Sequence, residues 1–165
     1  MTRFGEVKGY AKETKTILCN HGYPVSASGF AVAANGTLTL AQNKTNSTAV
    51  YTISGLNVGA EINGFRVVGA LGATAGNATV VNASIRKVTK GAGAVTDASI
   101  GAIEEVSVVA DTALDAAKTG LRETVSADYQ YYVLVTCTTA DNAACNVALA
   151  GVEVDLNKRW INEVH

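Results

Sequence analysis

The stretch D-Y-Q-Y-Y-V-L-V-T-C-T-T-A-D-N-A-A-C-N-V-A-L-A-G-V-E-V-D-L, residues 128–156, decides the fold. Two long runs of β-branched, aromatic and alternating residues flank a short polar break at Ala140, Asp141 and Asn142. Such runs predict two antiparallel strands, 129–139 and 145–156, joined by a short loop. Within the first run, Tyr129, Tyr131, Val133, Val135 and Cys137 fall on one face, and Gln130, Tyr132, Leu134, Thr136 and Thr138 on the other. An open antiparallel sheet is expected to be apolar on one face only. Tyr132 and Leu134 on the second face therefore predict cover by a loop, the N-terminal arm or another subunit.

The same grammar recurs upstream. Asn35-Gly36, between two short alternating runs, predicts a hairpin with a two-residue mirror-image turn, both central residues at positive φ. Strands are expected at 49–54, 61–70, 78–90, 99–110 and 121–126, with a bulge or bend at Gly64. Gly91 and Gly93 mark a flexible turn. Only D-T-A-L-D-A-A-K-T-G, 111–120, looks helical, with Asp111 as a candidate N-cap and Gly120 as a stop, and it is short enough to be one turn or a loop. Seven to nine strands, spaced at roughly 8–15 residues, make the chain all-β, an antiparallel β-sandwich. A jelly roll is the first architecture and an immunoglobulin-like sandwich its rival. The rival lacks its core Trp, because the one Trp is Trp160.

Residues 1–28 are polar and aperiodic and read as an extended N-terminal arm, 29–156 as the sandwich, and 157–165 as a C-terminal tail. Phe4 and Tyr10 in the arm and Trp160 and Ile161 in the tail are isolated apolar residues suited to a partner's surface. With Tyr132 and Leu134 they make up the candidate partner-binding set.

A chain of 165 residues buries about 70% of its unfolded surface without metal or disulfide. With one Trp and three Phe its core must be built of small and β-branched side chains. Charged residues are only 16%, which suits faces covered by neighbours in an assembly. The net charge of −1 argues against a sequence-independent nucleic-acid binder. No apolar run is long enough to span a membrane and no secretion signal is visible, so synthesis in the cytoplasm is expected.

Little chemistry is legible. Cys19-x-His21 offers half a metal site without partners, and His165 is the terminal residue. Glu104 and Glu105 are adjacent on a strand and point apart, unlike a glycosidase pair. Asp111 and Asp115 lack the spacing of a calcium loop, and Gly91-x-Gly93 lacks the context of a phosphate loop. No cofactor, metal or catalytic group is assigned, and an enzyme is not expected. Cys137 and Cys145 flank the polar break. They could bridge across a hairpin, but two reduced, half-buried thiols are the simpler expectation. Sequons at Asn35, Asn43, Asn46, Asn77 and Asn82 carry no glycan argument.

The segments Y-T-I-S-G-L (51–56), V-V-A-D-T-A-L-D (108–115), A-D-Y-Q-Y-Y-V-L-V-T (127–136) and A-G-V-E-V (150–154) resemble those of tailed-bacteriophage virion structural proteins. The nearest type is the capsid decoration, or cement, protein with a jelly-roll body. The resemblance implies a protein on the outer capsid surface of the virion, trimeric as a homo-oligomer, that ties neighbouring major capsid proteins together. The alternative is a head- or tail-fibre module that recognises a host glycan.

Overall fold

In the computed structural model, residues 8–18, 22–25, 29–91 and 93–161 are described, with backbone alone for 8–10, 18 and 159–161. The described residues form eleven strands and no helix. These are β1 (Lys8–Leu18), β2 (Gly22–Pro24), β3 (Phe30–Val32), β4 (Leu38–Leu40), β5 (Lys44–Ile53), β6 (Glu61–Gly72), β7 (Thr79–Thr89), β8 (Asp97–Val108), β9 (Thr112–Thr124), β10 (Tyr129–Thr139) and β11 (Asn146–Ile161).

They lie in two antiparallel sheets. One runs β2-β5-β10-β7-β8; the other runs β3-β4-β11-β6-β9, with β1 also on β11. From β4 to β11 the eight main strands interleave. The first, eighth, third and sixth share one sheet, and the second, seventh, fourth and fifth share the other. That is the connectivity of a jelly roll, as the sequence led one to expect.

The same connectivity corrects the expected hairpin. Both strands exist almost as predicted, but β10 pairs with β5 and β7, whereas β11 pairs with β6, β4 and β1. The 140–145 connection therefore crosses from one sheet to the other. Each partner is remote in sequence, and local pattern carries no information about it. Cys137 and Cys145 thus sit in different parts of the sandwich as free, buried thiols. The Cys145 thiol donates to the Asn77 carbonyl at 3.4 Å.

The segment expected to be helical is strand β9. Its Leu114 faces the core and its other side chains are mostly exposed, as on an edge strand that, among the described residues, pairs only with β6. Sheet pairing has overridden a weak local preference. Asp111 caps no helix; its carboxylate accepts the Ala73 N–H at 3.1 Å. The Asn35-Gly36 hairpin forms between β3 and β4, but through a tighter account of φ than expected. Only Gly36 is at positive φ, at 83°, and Gly36 N–H donates to the Ala33 carbonyl at 2.9 Å. A type I turn closed by a left-handed glycine does the work of the mirror-image turn. Asn35 Oδ1 accepts from both the backbone and the hydroxyl of Thr37.

The segment read as an arm contributes two strands. β1 lies along β11 from Lys8↔Ile161 to Leu18↔Gly151, with Ile17 buried in the core, and β2 edges the other sheet. The C-terminal segment continues β11 as far as Ile161. Lys15 reaches the Ser54 carbonyl in the loop after β5, a link between the two sheets.

The core fills the space between the sheets with Tyr51, Phe65, Ile62, Ile85, Leu149, Val133 and Val135, all almost fully buried. Two buried threonine hydroxyls find backbone acceptors. Thr79 donates to the Gly72 carbonyl at 2.6 Å and Thr139 to the Ala41 carbonyl at 2.7 Å. Gly64 sits at the expected bulge: pairing with both β11 and β9 shifts register between Ile62 and Gly64. A Cβ there would lie 2.4 Å from the Lys118 carbonyl oxygen, so only glycine fits.

Candidate functional site

The two faces of β10 separate as the alternation requires. Tyr131, Val133, Val135 and Cys137 are buried; Tyr132, Leu134, Thr136 and Thr138 are half-buried and Gln130 is exposed. Antiparallel register then fixes the neighbours on the outer face. Tyr132 lies between Thr52 and Arg86, and Leu134 between Val50 and Ser84. Val88 flanks Gln130. Tyr23 extends the Leu134 row through its pairing with Val50, and is 68% exposed. The result is a shallow groove of about 260 Å³, lined by Val50, Thr52, Val88, Gln130, Tyr132 and Leu134.

A fixed polar rim borders this groove. Arg86 Nε donates to both oxygens of Asp97 at 3.1 Å and to the Tyr132 hydroxyl at 3.2 Å, and Arg86 Nη2 lies 3.0 Å from Asp97. The bond to Arg86 holds the Asp97 carboxyl below its usual range, and the bond to Asp97 holds the Arg86 guanidinium above its own. Burial, and then the neighbouring Asp97, pushes the Tyr132 hydroxyl up. All three groups therefore keep their neutral-pH state over a wide range, and the rim is a constant pattern of donors and acceptors.

The opposite face of the same end of β10 is built for stability. Lys87 bonds Glu123 at 2.8 Å from the facing sheet and lies 4.7 Å above the Tyr129 ring. Ser126 N–H donates to the Tyr131 hydroxyl at 3.1 Å.

Of the six residues proposed from sequence as partner-binding, Tyr132 and Leu134 share this groove. Phe4 lies outside the described residues, as do Cys19, His21 and His165. Tyr10, Trp160 and Ile161 are placed by backbone only, in the β1–β11 ladder where Tyr10 pairs with Arg159, Trp160 with Gly9 and Ile161 with Lys8. The reading from sequence missed Tyr23, Arg86 and Asp97. Alternation along 78–90 puts Arg86 on one face with Ser84 and Val88, so that part was recoverable. Nothing local places Tyr23 beside Val50.

Among the described residues, no three His, Cys, Asp or Glu gather as metal ligands. Glu104 and Glu105 are both exposed, where β8 bulges opposite β7. Asp115 pairs with Arg66, and Glu153 lies 3.5 Å from the same guanidinium.

No family model matches the sequence, and no curated protein matches it. Solved structures share its architecture. The CBM22-1-GH10 modules of the Clostridium thermocellum N-terminal endo-1,4-β-D-xylanase 10B, complexed with xylohexaose, match at TM-score 0.54 and 13% identity. The match covers 97% of this chain and 29% of that one, so the chain spans under a third of that protein's length. A xylan-binding module, CBM15, matches at TM-score 0.43 and 16% identity, covering 92% and 97% of the two chains. A family two carbohydrate esterase from Cellvibrio japonicus matches at 0.40 and 8%, covering 94% and 37%. At such identities the first match bears on the fold alone, and the other two add nothing to it.

Proposed function

We infer that this protein is a non-catalytic binding module that takes a glycan chain across the outer face of its five-stranded sheet. One observation carries the reading: Tyr132 is held at the centre of an open groove by Arg86, with Asp97, Gln130 and Thr52 around it. Sugars present apolar C–H faces edged by hydroxyls. A tyrosine ring beside aliphatic side chains offers surface for the first, and a fixed rim of guanidinium, carboxylate and amide offers partners for the second. Tyr23, one row and two strands away, stands roughly 12 Å from Tyr132 by strand spacing, so contacts extend over more than one sugar unit. The groove is shallow, which suits an extended chain.

The test is a glycan array followed by calorimetry. The structure solved with xylohexaose makes β-1,4-linked xylo-oligosaccharides the first ligands to try. Binding to at least one polysaccharide class, weakened roughly tenfold in Tyr132→Ala, supports the reading. An array without a hit contradicts it.

A second reading, a capsid decoration protein, is favoured by a different observation. Val32, Val58, Val95 and Val109 are well exposed at separate places, and among the described residues β1 pairs on one edge only. A protein gripping several neighbours in a shell would use such dispersed contacts. Sedimentation separates the two: a trimer indifferent to glycans favours decoration, whereas a monomer that binds a glycan favours the module.

A further inference from the structure

The other sheet carries a cleft that the tyrosine groove does not involve. Gly64 has no side chain, and its cross-sheet row reads Thr14, Asp155, Gly64, Thr119. The glycine lets the β9 backbone close in at this row, with the Lys118 carbonyl oxygen where a Cβ would sit. Next to it the β6 bulge presents Asn63, and β9 turns through Gly120 and Arg122, both at positive φ. The resulting cleft holds about 440 Å³ and its polar lining comes from Lys12, Thr14, Asn63, Thr119, Asp155 and Asn157.

Its chemistry is specific. Lys12 and Asp155 cancel in charge, while Glu13, which also borders the cleft, is neutralised by its ion pair with Lys158. The Asp155 carboxylate accepts the Thr14 hydroxyl at 2.9 Å and has acceptor capacity left. The Asn157 carbonyl oxygen is buried without a hydrogen-bond partner, and its amide nitrogen reaches Glu61 only at 3.5 Å. A shielded acceptor without a donor is unfavourable. The soft terminal torsion of asparagine lets it turn toward a donor in the cleft.

We propose that this cleft is a second binding site, for a single neutral, hydroxyl-rich ring such as a monosaccharide unit. Neutrality follows from the balanced Lys12 and Asp155. Hydroxyl richness follows from a wall that mixes donors with acceptors, because each hydroxyl of the ligand both gives and takes a hydrogen bond. The volume lies in the range of small-ligand sites. With no aromatic ring among the residues lining it, affinity is expected in the millimolar range.

The test is an amide NMR titration of the full chain with D-glucose, D-galactose, D-xylose and N-acetyl-D-glucosamine, and with glycerol as a small polyol control. Saturable shifts at Thr14, Asn63, Thr119 and Asn157 with at least one sugar are expected. They should weaken at least fivefold in Thr119→Val and in Asn157→Leu. The variants' amide spectra check the fold, and the wild-type titration stands if one variant does not fold. Absence of saturable shifts in the cleft with every sugar overturns the proposal, as do shifts that both variants leave intact or that glycerol reproduces. The proposal does not depend on the tyrosine groove. A silent cleft with shifts at Gln130 and Tyr132 rejects the cleft alone, and the reverse pattern rejects the groove alone.

Discussion

Tyr132 accepts a hydrogen bond from Arg86 Nε at 3.2 Å, and the same nitrogen is bonded to Asp97. A ring that would otherwise lie loosely on an open sheet is thereby fixed in orientation. Tyr132→Ala should cost about 1.4 kcal/mol of glycan binding, or roughly tenfold in Kd, since one aromatic contact of this kind contributes about that much. Tyr132→Phe keeps the face and loses the tether, so its loss should be two- to threefold. Calorimetry on the three proteins checks the order, and equal losses in the two variants would show that the ring face does not matter.

The Arg86–Asp97 pair should have an acid limit. Asp97 has its pKa lowered in the folded protein, so the pair's contribution is complete above the unfolded carboxylate value of about 3.9. It is lost as pH falls through the lower folded value. The pair is partly exposed, so the effect is small, about 1 kcal/mol or less. Thermal melts of wild type and Asp97→Asn should differ by a constant amount from pH 7 down to about pH 4 and converge below that. A gap that closes already at pH 6 would contradict this assignment.

Cys137 should behave as an inert thiol. Burial pushes its pKa up to about 12, and the thiolate is the reactive form. In a Cys19→Ser background the native protein should therefore resist iodoacetamide at pH 8 and react on unfolding. The linkage runs toward alkali. The unfolded chain releases the proton near pH 8.5 and the folded chain only near 12, so stability is complete below the first value and declines toward the second. Cys137→Ala should melt with a shallower alkaline slope than wild type. Rapid alkylation of the folded protein would contradict the burial.

Gly64 should tolerate no side chain. An added Cβ meets backbone, the Lys118 carbonyl oxygen, which cannot rotate away. Gly64→Ala should destabilise by about 2 kcal/mol or more, by analogy with overpacking. The melting temperature should fall by about 4–8 °C. Gly59→Ala, where open space awaits the Cβ but φ is 87°, separates backbone strain from collision and should cost less.

How much of this was readable from sequence depended on the range of the interaction. The two faces of β10 were legible because alternation is local and Val133 and Val135 alternate cleanly with Leu134 and Thr136. The Gly64 bulge was legible because a glycine inside a strand has few other reasons to be there. The partners of β10 and β11 were not, because a jelly roll joins strands remote in sequence: Leu134 meets Ser84 and Val50, and Val154 meets Phe65. β9 was misread as helical because an edge strand buries little, leaving Asp111, Ala116, Ala117 and Lys118 free to imitate a helix. Tyr132 and Leu134 were found by asking why a second face was apolar. Arg86 and Asp97 belong to two other strands, and only the register brings them to the ring.

The most direct test of a glycan-binding outer face is an amide NMR titration with xylohexaose and a panel of other β-linked oligosaccharides. The account predicts saturable shifts centred on Thr52, Arg86, Gln130 and Tyr132 with at least one of them, needing roughly tenfold more ligand in Tyr132→Ala. Shifts that avoid this face, or a panel with no saturable response there, would contradict it.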